Sequence, residues 1–340
     1  MKDLRFGIIG TGFWARYQLA GWRELKGATC VALCNRTRSK AEALAAEFHV
    51  PAVYDNAEEL ITRAQPDFLD IITDVSTHAS FVELAAKHRV PVICQKPMAP
   101  ALALAESMVA TCRDARVPLA IHENWRWQRP LRELKHALER DAIGRVFRAR
   151  VDFCNSFPVF DNQPFLRNLE QFILTDIGSH ILDAARFLFG EARTLYCQTR
   201  RVHRDIQGED VATVMMSMAS GATVTCNMSY ASRLEQERFP ETFVLVEGER
   251  GSIELGPDYW VRITTQDGTQ ARRAPPPFFA WADARYALVH ASIAACNADL
   301  LRALQTHTPA ETSGEDNLKT VRLVFAAYDS AASGRVVTLV

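Results

Sequence analysis

The sequence predicts an α/β part followed by an α+β part. The first has a parallel sheet covered by helices on both faces, and the second has one open, mainly antiparallel β-sheet. Three observations predict this. Up to about Arg126, short apolar runs alternate with helical patterns. The first of these runs ends in Gly10-Thr11-Gly12-Phe13-Trp14-Ala15, a turn that opens a helix. Beyond Arg126, strand-like segments dominate and helical patterns only interrupt them.

Taken in order, residues 5–9 read as a strand, 13–25 as a helix and 29–34 as a second strand. Ala41, Leu44, Ala45 and Phe48 then repeat at helical spacing. Residues 68–72, 91–94 and 118–121 are further buried strands, and 78–88 and 101–115 the helices between them. In the second part, 146–153, 193–202, 211–218, 222–230, 242–247, 251–255 and 260–265 read as strands, with helices at 173–189, 286–305 and 318–333. Ser220-Gly221 marks a tight hairpin turn and Pro275-Pro276-Pro277 a loop. The expected division is 1–125 and 126–340.

Length and composition agree with two globular cores. The chain has 340 residues, 48% hydrophobic and 23% charged. Lys plus Arg (39) nearly balance Asp plus Glu (40), which argues against nucleic acid or an anionic membrane as partner. No apolar run approaches the roughly 20 residues of a membrane helix. Met1-Lys2-Asp3-Leu4-Arg5 runs straight into a strand-like segment, which predicts no signal peptide. The eight cysteines are dispersed and form no CxxC pair. They predict a reducing cytoplasm, no disulfide framework and no metal site.

Gly10-x-Gly12-x-x-Ala15 between a strand and a helix has the chemistry of a Rossmann phosphate turn. Gly10 permits the tight turn, Gly12 lets the backbone approach a pyrophosphate, and Ala15 keeps helix and strand close. The helix N-terminus offers unpaired N–H groups and partial positive charge, so Thr11, Phe13 and Trp14 fall beside the cofactor. An acidic residue at the end of the second strand would bind the ribose hydroxyls of NAD. Asn35 stands there instead, followed by Arg36, Arg38 and Lys40, any of which can pair with the 2′-phosphate of NADP. Alternatively Arg36 stacks on adenine and the others are solvated, which leaves NAD. The residues alone leave both open.

Lys96, in Cys94-Gln95-Lys96-Pro97, follows a buried strand. Ligands of open α/β sheets bind outside the carboxyl ends of strands, so Lys96 belongs near the nicotinamide. Asp176 and His180 are four residues apart in a helical pattern and share one face. A His can take a proton from a substrate hydroxyl as hydride leaves. The Lys cation can stabilise the developing alkoxide, and Asp176 can orient His180 or hold a neighbouring hydroxyl. Each residue alone reads equally as a surface cation, a helix cap or a surface pair. Their combination with the glycine turn points to catalysis.

On Gly10–Ala15, Gln95-Lys96-Pro97, Asp176-x-Gly178-x-His180 and Asp183…Leu188-Phe189-Gly190, the chain resembles the glucose–fructose oxidoreductase/inositol dehydrogenase (Gfo/Idh/MocA) family over nearly its full length. The resemblance implies that Lys96, Asp176 and His180 form a catalytic triad. It also implies cofactor contacts from Thr73-Asp74-Val75-Ser76-Thr77-His78, with Thr73, Val75, His78 and Gln95 among them. Where the family signature reads Glu-Lys-Pro, Gln95 removes a charge beside the lysine and leaves the lysine itself. Residues 94–100, 122–127 and 157–165 are similar to a branch of the family that oxidises a branched furanose at its anomeric carbon to a lactone with NAD. That implication conflicts with the charge reading of Arg36.

The substrate half is expected around the end of the last strand of the first part. Glu123 and Arg126 can hydrogen-bond sugar hydroxyls, and Trp125 offers a flat face to a ring or the nicotinamide, unless Trp125 and Trp127 only pack. Asp161 and Gln163 lie in a loop before the helix bearing Asp176 and can reach the same cleft, or be solvated. Phe153, Phe157 and Phe160 read as core or interface residues. The expected activity is NAD(P)-dependent oxidation of a small-molecule sugar at a hydroxyl or the anomeric carbon. The alternatives are another sugar or inositol dehydrogenase, one that holds its cofactor tightly, and a non-catalytic NAD(P)-sensing binding protein. The sheet of the second part needs one face covered, which predicts a homodimer or homotetramer packed through it.

Overall fold

The computed structural model describes residues 3–339 except for the side chain of Asn162. Met1 and Lys2, on which the signal-peptide expectation partly rests, lie outside the described residues. The chain divides into two compact units. The first runs to Asn124 and includes Phe279–Asp283 and Ile293–Val321; the second comprises Trp125–Phe278, Ala284–Ser292 and the remainder from Arg322. A simple cut after residue 125 assigns 279–283 and 293–321 to the second part. They belong to the first because their polar contacts are there. Asn297 accepts from Gln18 and meets the His122 ring, and the Thr312 carbonyl accepts from the Ile121 N–H.

The first unit contains β1 (Leu4–Ile9), α1 (Phe13–Arg23), β2 (Ala28–Cys34), α2 (Arg38–Phe48), β3 (Ala52–Tyr54), α3 (Ala57–Glu59), β4 (Phe68–Ile71), α4 (His78–Lys87), β5 (Val92–Gln95), α5 (Leu102–Ala115) and β6 (Leu119–His122). Its strands form a six-stranded parallel sheet in the order β3-β2-β1-β4-β5-β6. β4 and β5 are buried throughout, as a parallel sheet covered on both faces requires, with Asp70 and Gln95 as their polar members. Helix α1 buries Ala15, Leu19 and Trp22, and the Trp22 ring meets Phe6 of β1 and Phe68 of β4 at 5.1 and 5.4 Å. The order reverses between β1 and β4. Because the strands are parallel, the loops after β1, β2, β4 and β5 lie at one carboxyl edge, and the switch point opens a crevice there.

The second unit begins with α6 (Arg129–Glu139), β7 (Val146–Cys154), α7 (Val159–Asn162) and α8 (Ile173–Phe189). The strands β8 (Ala192–Arg200), β9 (Val211–Met218), β10 (Thr223–Ser229), β11 (Phe243–Gly248), β12 (Gly251–Gly256), β13 (Trp260–Thr265) and β14 (Gly268–Arg273) follow. Then come α9 (Ala287–Thr306) and α10 (Gly314–Ser333), which carry residues of both units, and β15 (Val337–Thr338). Among the described residues the sheet has nine strands, ordered β14-β13-β12-β11-β7-β10-β9-β8-β15. It is antiparallel except where β7 and β10 run parallel. Strict alternation in β9 buries Ala212, Val214, Met216 and Met218 and leaves Met215 47% exposed on the other face. Gly221, at a φ of +90°, makes the tight β9–β10 turn.

Three elements carry too little apolar signal to be read in advance. β3 has three residues, β14 is exposed along its whole length, and β15 has two residues. Helix α6 was missed although Pro130, Leu131, Leu134 and Ala137 form its buried face between charges. The expectation that no segment is long and apolar enough for a membrane is corrected. Ala284–Thr306 meets that test, and 72% of its apolar stretch is buried within the protein, as in a core helix.

Candidate active site

In the first unit the site is built on the carboxyl edge of the parallel sheet. Gly10 follows β1 with a φ of +100°, and a Cβ there would collide with the Ile72 carbonyl oxygen. Gly12 caps α1, and a Cβ on it would meet no protein atom within 4 Å. The protein's own packing therefore gives no reason for glycine at that position. Close approach of a ligand backbone to the turn does. The Thr11 hydroxyl is buried beside it with no protein hydrogen-bond partner, and the first turn of α1 holds no acidic side chain to occupy its N–H groups. These three features fit a dinucleotide pyrophosphate. Phe13 stands 72% exposed on the same turn, its ring edge-on to Tyr17, and Trp14 is half-buried.

Asn35, after β2, is already engaged. Its Oδ1 accepts from the Thr11 N–H at 3.3 Å and its Nδ2 donates to the Thr37 carbonyl at 3.0 Å. It braces the glycine turn in addition to sitting in the ribose slot. Arg36 and Lys40 are exposed, and Arg38 pairs with Glu42 along α2 at 2.9 Å.

The segment after β4 folds on Asp74, which accepts from the backbone and side chain of Ser76 at 3.0 and 2.6 Å. Thr73 accepts from the Thr77 hydroxyl, and Val75 opens the short turn before α4. His78 is buried to 1% exposure. Its Nε2 meets the Thr73 carbonyl at 3.2 Å and its Nδ1 the Pro97 and Met98 carbonyls at 3.1 and 3.3 Å. This corrects the expected direct cofactor contact. His78 instead ties the loop after β4 to the loop after β5, where half-buried Lys96 follows buried Gln95. Burial pulls the His78 ring below the usual imidazole range while the three carbonyls oppose that pull.

Beneath this edge lies a buried polar cluster. Asp70 of β4 accepts from Trp22 at 2.7 Å and Gln18 at 3.0 Å, and Gln18 also donates to Asn297 of α9, which meets His122 at the end of β6. Burial pushes the Asp70 carboxyl up to about 6, against the pull of those two donors. Glu123 has no exposed surface, which corrects its expected role as a sugar contact.

In the second unit the candidate residues lie on and around α8. Glu209 caps its start, accepting from the Phe172 and Leu174 N–H groups at 3.2 Å each and from the Tyr328 hydroxyl of α10 at 2.7 Å. Asp176 lies in the first turn of α8 and accepts from the Tyr230 hydroxyl across 3.4 Å. Burial first, and the Asp176 carboxylate second, push that hydroxyl well above the usual phenol range, so it stays a donor. One turn further along, the His180 ring lies stacked on Trp125, centroids 4.4 Å apart at 23°. Trp125 is 3% exposed and its ring is stacked on His180, a third correction. A fourth concerns Arg126, whose buried guanidinium is committed to Asp183 through two hydrogen bonds of 2.7 and 2.5 Å.

Asp161 lies at the surface of the second unit. Its carboxylate is 73% exposed and lies 3.5 Å from Arg167, which also pairs with Asp205. Gln163 is exposed on the same segment. Phe153 and Phe160 are core residues, as expected. Tyr230, Glu209, Tyr328 and Thr242 were missed by sequence reading. Each is brought to α8 from far along the chain, and no local spacing marks them. Among the described residues no group of three or more His, Cys, Asp or Glu is placed to hold a metal ion.

The 3-2-1-4-5-6 parallel sheet and its open glycine turn define a Rossmann-type dinucleotide-binding protein, here joined to a large antiparallel sheet that carries an Asp–His helix. The chain belongs to the GFO/IDH/MocA oxidoreductase family: residues 4–122 match its NAD-binding Rossmann-fold domain and residues 131–254 the family's C-terminal domain. It is thus an NAD(P)-dependent oxidoreductase with an NAD-binding first domain. It is 41% identical to a D-apiose dehydrogenase of Rhizobium rhizogenes, over 100% of this chain and 98% of that protein. A D-apiose dehydrogenase of Paraburkholderia graminis is 43% identical, over 100% of this chain and 90% of that protein. An oxidoreductase from Agrobacterium radiobacter, crystallised with NAD+, L-tartaric acid and magnesium, is 41% identical with a TM-score of 0.97, over 99% of this chain and 98% of that one.

Proposed function

We propose that the protein is an NAD-dependent sugar dehydrogenase that oxidises D-apiose at its anomeric carbon to D-apionolactone. The observation that carries this reading is the full-length identity of 41% and 43% to two D-apiose dehydrogenases. The open turn at Gly12 and the Asp176–His180 face of α8 support it. Bound NAD supplies the acceptor for the hydride that leaves the anomeric carbon. Lys96, Asp176 and His180 act on the substrate. His180 takes the proton of the anomeric hydroxyl, and the Lys96 ammonium holds the oxygen as negative charge develops on it. Asp176, which accepts from Tyr230, orients a neighbouring sugar hydroxyl, and Gln163 contributes a further polar contact. The 2.9 Å pairing of Arg38 with Glu42 removes one of the cations available to a 2′-phosphate, which supports NAD over NADP.

A homodimer or homotetramer packed through the open face of the nine-stranded sheet belongs to the same reading. The exposed Met215 and Phe147 support it. Sedimentation at micromolar concentration tests this, and a monomer refutes it. Eight free cysteines support a cytoplasmic location.

The test of the activity is a sugar panel read by NADH fluorescence, with NAD and NADP side by side. D-apiose with NAD is expected to give the highest kcat/KM. Lys96→Ala and His180→Ala are each expected to lower kcat by roughly 10²–10⁴-fold. Protein that binds NAD yet reduces it with no sugar overturns the assignment.

A further inference from the structure

The Trp125 indole is seated with more care than packing alone requires. Its Nε1–H donates to the Thr242 hydroxyl at 2.9 Å, and Thr242 is itself buried. The Phe153 ring meets it edge-on, centroids 5.7 Å apart at 74°. These contacts hold the indole, and one of its faces lies nearly parallel to the His180 imidazole at 4.4 Å. Arg126, the next residue, grips Asp183 of the same helix. The short segment Trp125–Trp127 therefore holds α8 at two positions three residues apart, His180 and Asp183.

An indole face is the negative side of its quadrupole and attracts a cation placed over it, most strongly when both are out of water. A base gains its positive charge only when it takes the proton. A ring stacked on a fixed indole is therefore better stabilised after proton transfer than before it, and is held at one angle throughout.

We infer that Trp125 is a positioning residue for the reaction: its indole orients the His180 ring and stabilises the imidazolium that forms as the sugar hydroxyl loses its proton, with Thr242 holding the indole in place. This rests on the reading of His180 as the base.

The experiment compares wild type with Trp125→Phe, Trp125→Leu, Thr242→Val and His180→Ala, each assayed with D-apiose and NAD after NAD titration has counted folded sites. Trp125→Leu is expected to lower kcat per folded site by roughly three- to thirty-fold with little change in KM. Trp125→Phe, which keeps an aromatic face, is expected to restore most of that loss. Thr242→Val, which keeps the volume and loses the indole anchor, is expected to fall between them. The spectroscopic readout is the His180 ring-proton resonance, assigned by its loss in His180→Ala. The indole ring current shifts it upfield in wild type, and the shift is lost in Trp125→Leu. Should Trp125→Leu match wild type in kcat per folded site while His180→Ala is inactive, the inference fails and the base assignment stands. An active His180→Ala overturns both.

Discussion

The Arg126 guanidinium holds the Asp183 carboxylate through two nearly parallel hydrogen bonds, Nε to Oδ2 at 2.7 Å and Nη2 to Oδ1 at 2.5 Å, with both side chains buried. A planar fork matched to a carboxylate is the geometry in which a buried ion pair recovers its desolvation cost. Arg186 stands 3.8 Å from the same carboxylate and pairs with Glu191 at 2.9 Å, so α8 is fastened along its second half by charge. Removing one partner takes the forked match away from a charge that stays buried. Asp183→Asn is expected to lower unfolding free energy by about 3–5 kcal/mol, and Arg126→Met with Asp183→Leu together by much less. Urea denaturation of the single and double variants measures this, and equal losses would count against it.

The two glycines of the turn are expected to fail in different ways. Gly10 has a φ of +100° and no room for a Cβ beside the Ile72 carbonyl. Gly10→Ala is expected to cost about 1–3 kcal/mol of stability without any ligand. Gly12 has an ordinary φ of −74° and open space around it. Gly12→Ala is expected to keep the wild-type Tm and to raise the Kd for NAD by roughly ten-fold or more. Thermal melts with and without NAD separate the two, and an equal Tm loss in both variants contradicts the assignment.

Asp70 gives the protein a pH-dependent stability. Its folded pKa of about 6 lies above the ordinary aspartate value of 3.8, so the folded state binds the proton more tightly. The contribution of this group is most favourable below about pH 4, and is lost as pH rises through about 6. The full difference is about 3 kcal/mol. Asp70→Asn keeps the acceptor for Trp22 and Gln18 and cannot ionise. Wild type is expected to lose stability relative to Asp70→Asn between pH 4 and 7. Denaturation midpoints across that range are the measurement, and parallel profiles exclude the effect.

Cofactor choice turns on the exposed cations after β2. Arg36 and Lys40 are the two not held in an ion pair like that of Arg38. Arg36→Ala with Lys40→Ala is expected to raise KM for NADP by roughly ten-fold and to change KM for NAD by less than about two-fold. An equal rise for both cofactors means that Arg36 acts on the adenine common to them.

The parallel sheet, the antiparallel sheet and the glycine turn were legible in the sequence because each is written in local spacing. Apolar runs mark β1, β2, β4, β5 and β6, period-two alternation marks β9, and glycine stands where the backbone at Gly10 takes a positive φ. Lys96 at a strand end and the four-residue step from Asp176 to His180 are local in the same sense. What each side chain touches was decided by the tertiary structure. Arg126 and Trp125 read as ligand contacts because a cation and a flat ring suit a sugar. The fold spends them on Asp183 and His180, more than 50 residues away in the chain. His78 read as a cofactor contact and is a buried tie between two loops. Tyr230 and Glu209 carried no signal at all, because a strand-end tyrosine and a loop glutamate become partners of α8 only when the sheet brings them there. Spacing along the chain fixes which face a residue occupies, and only packing fixes what lies opposite that face.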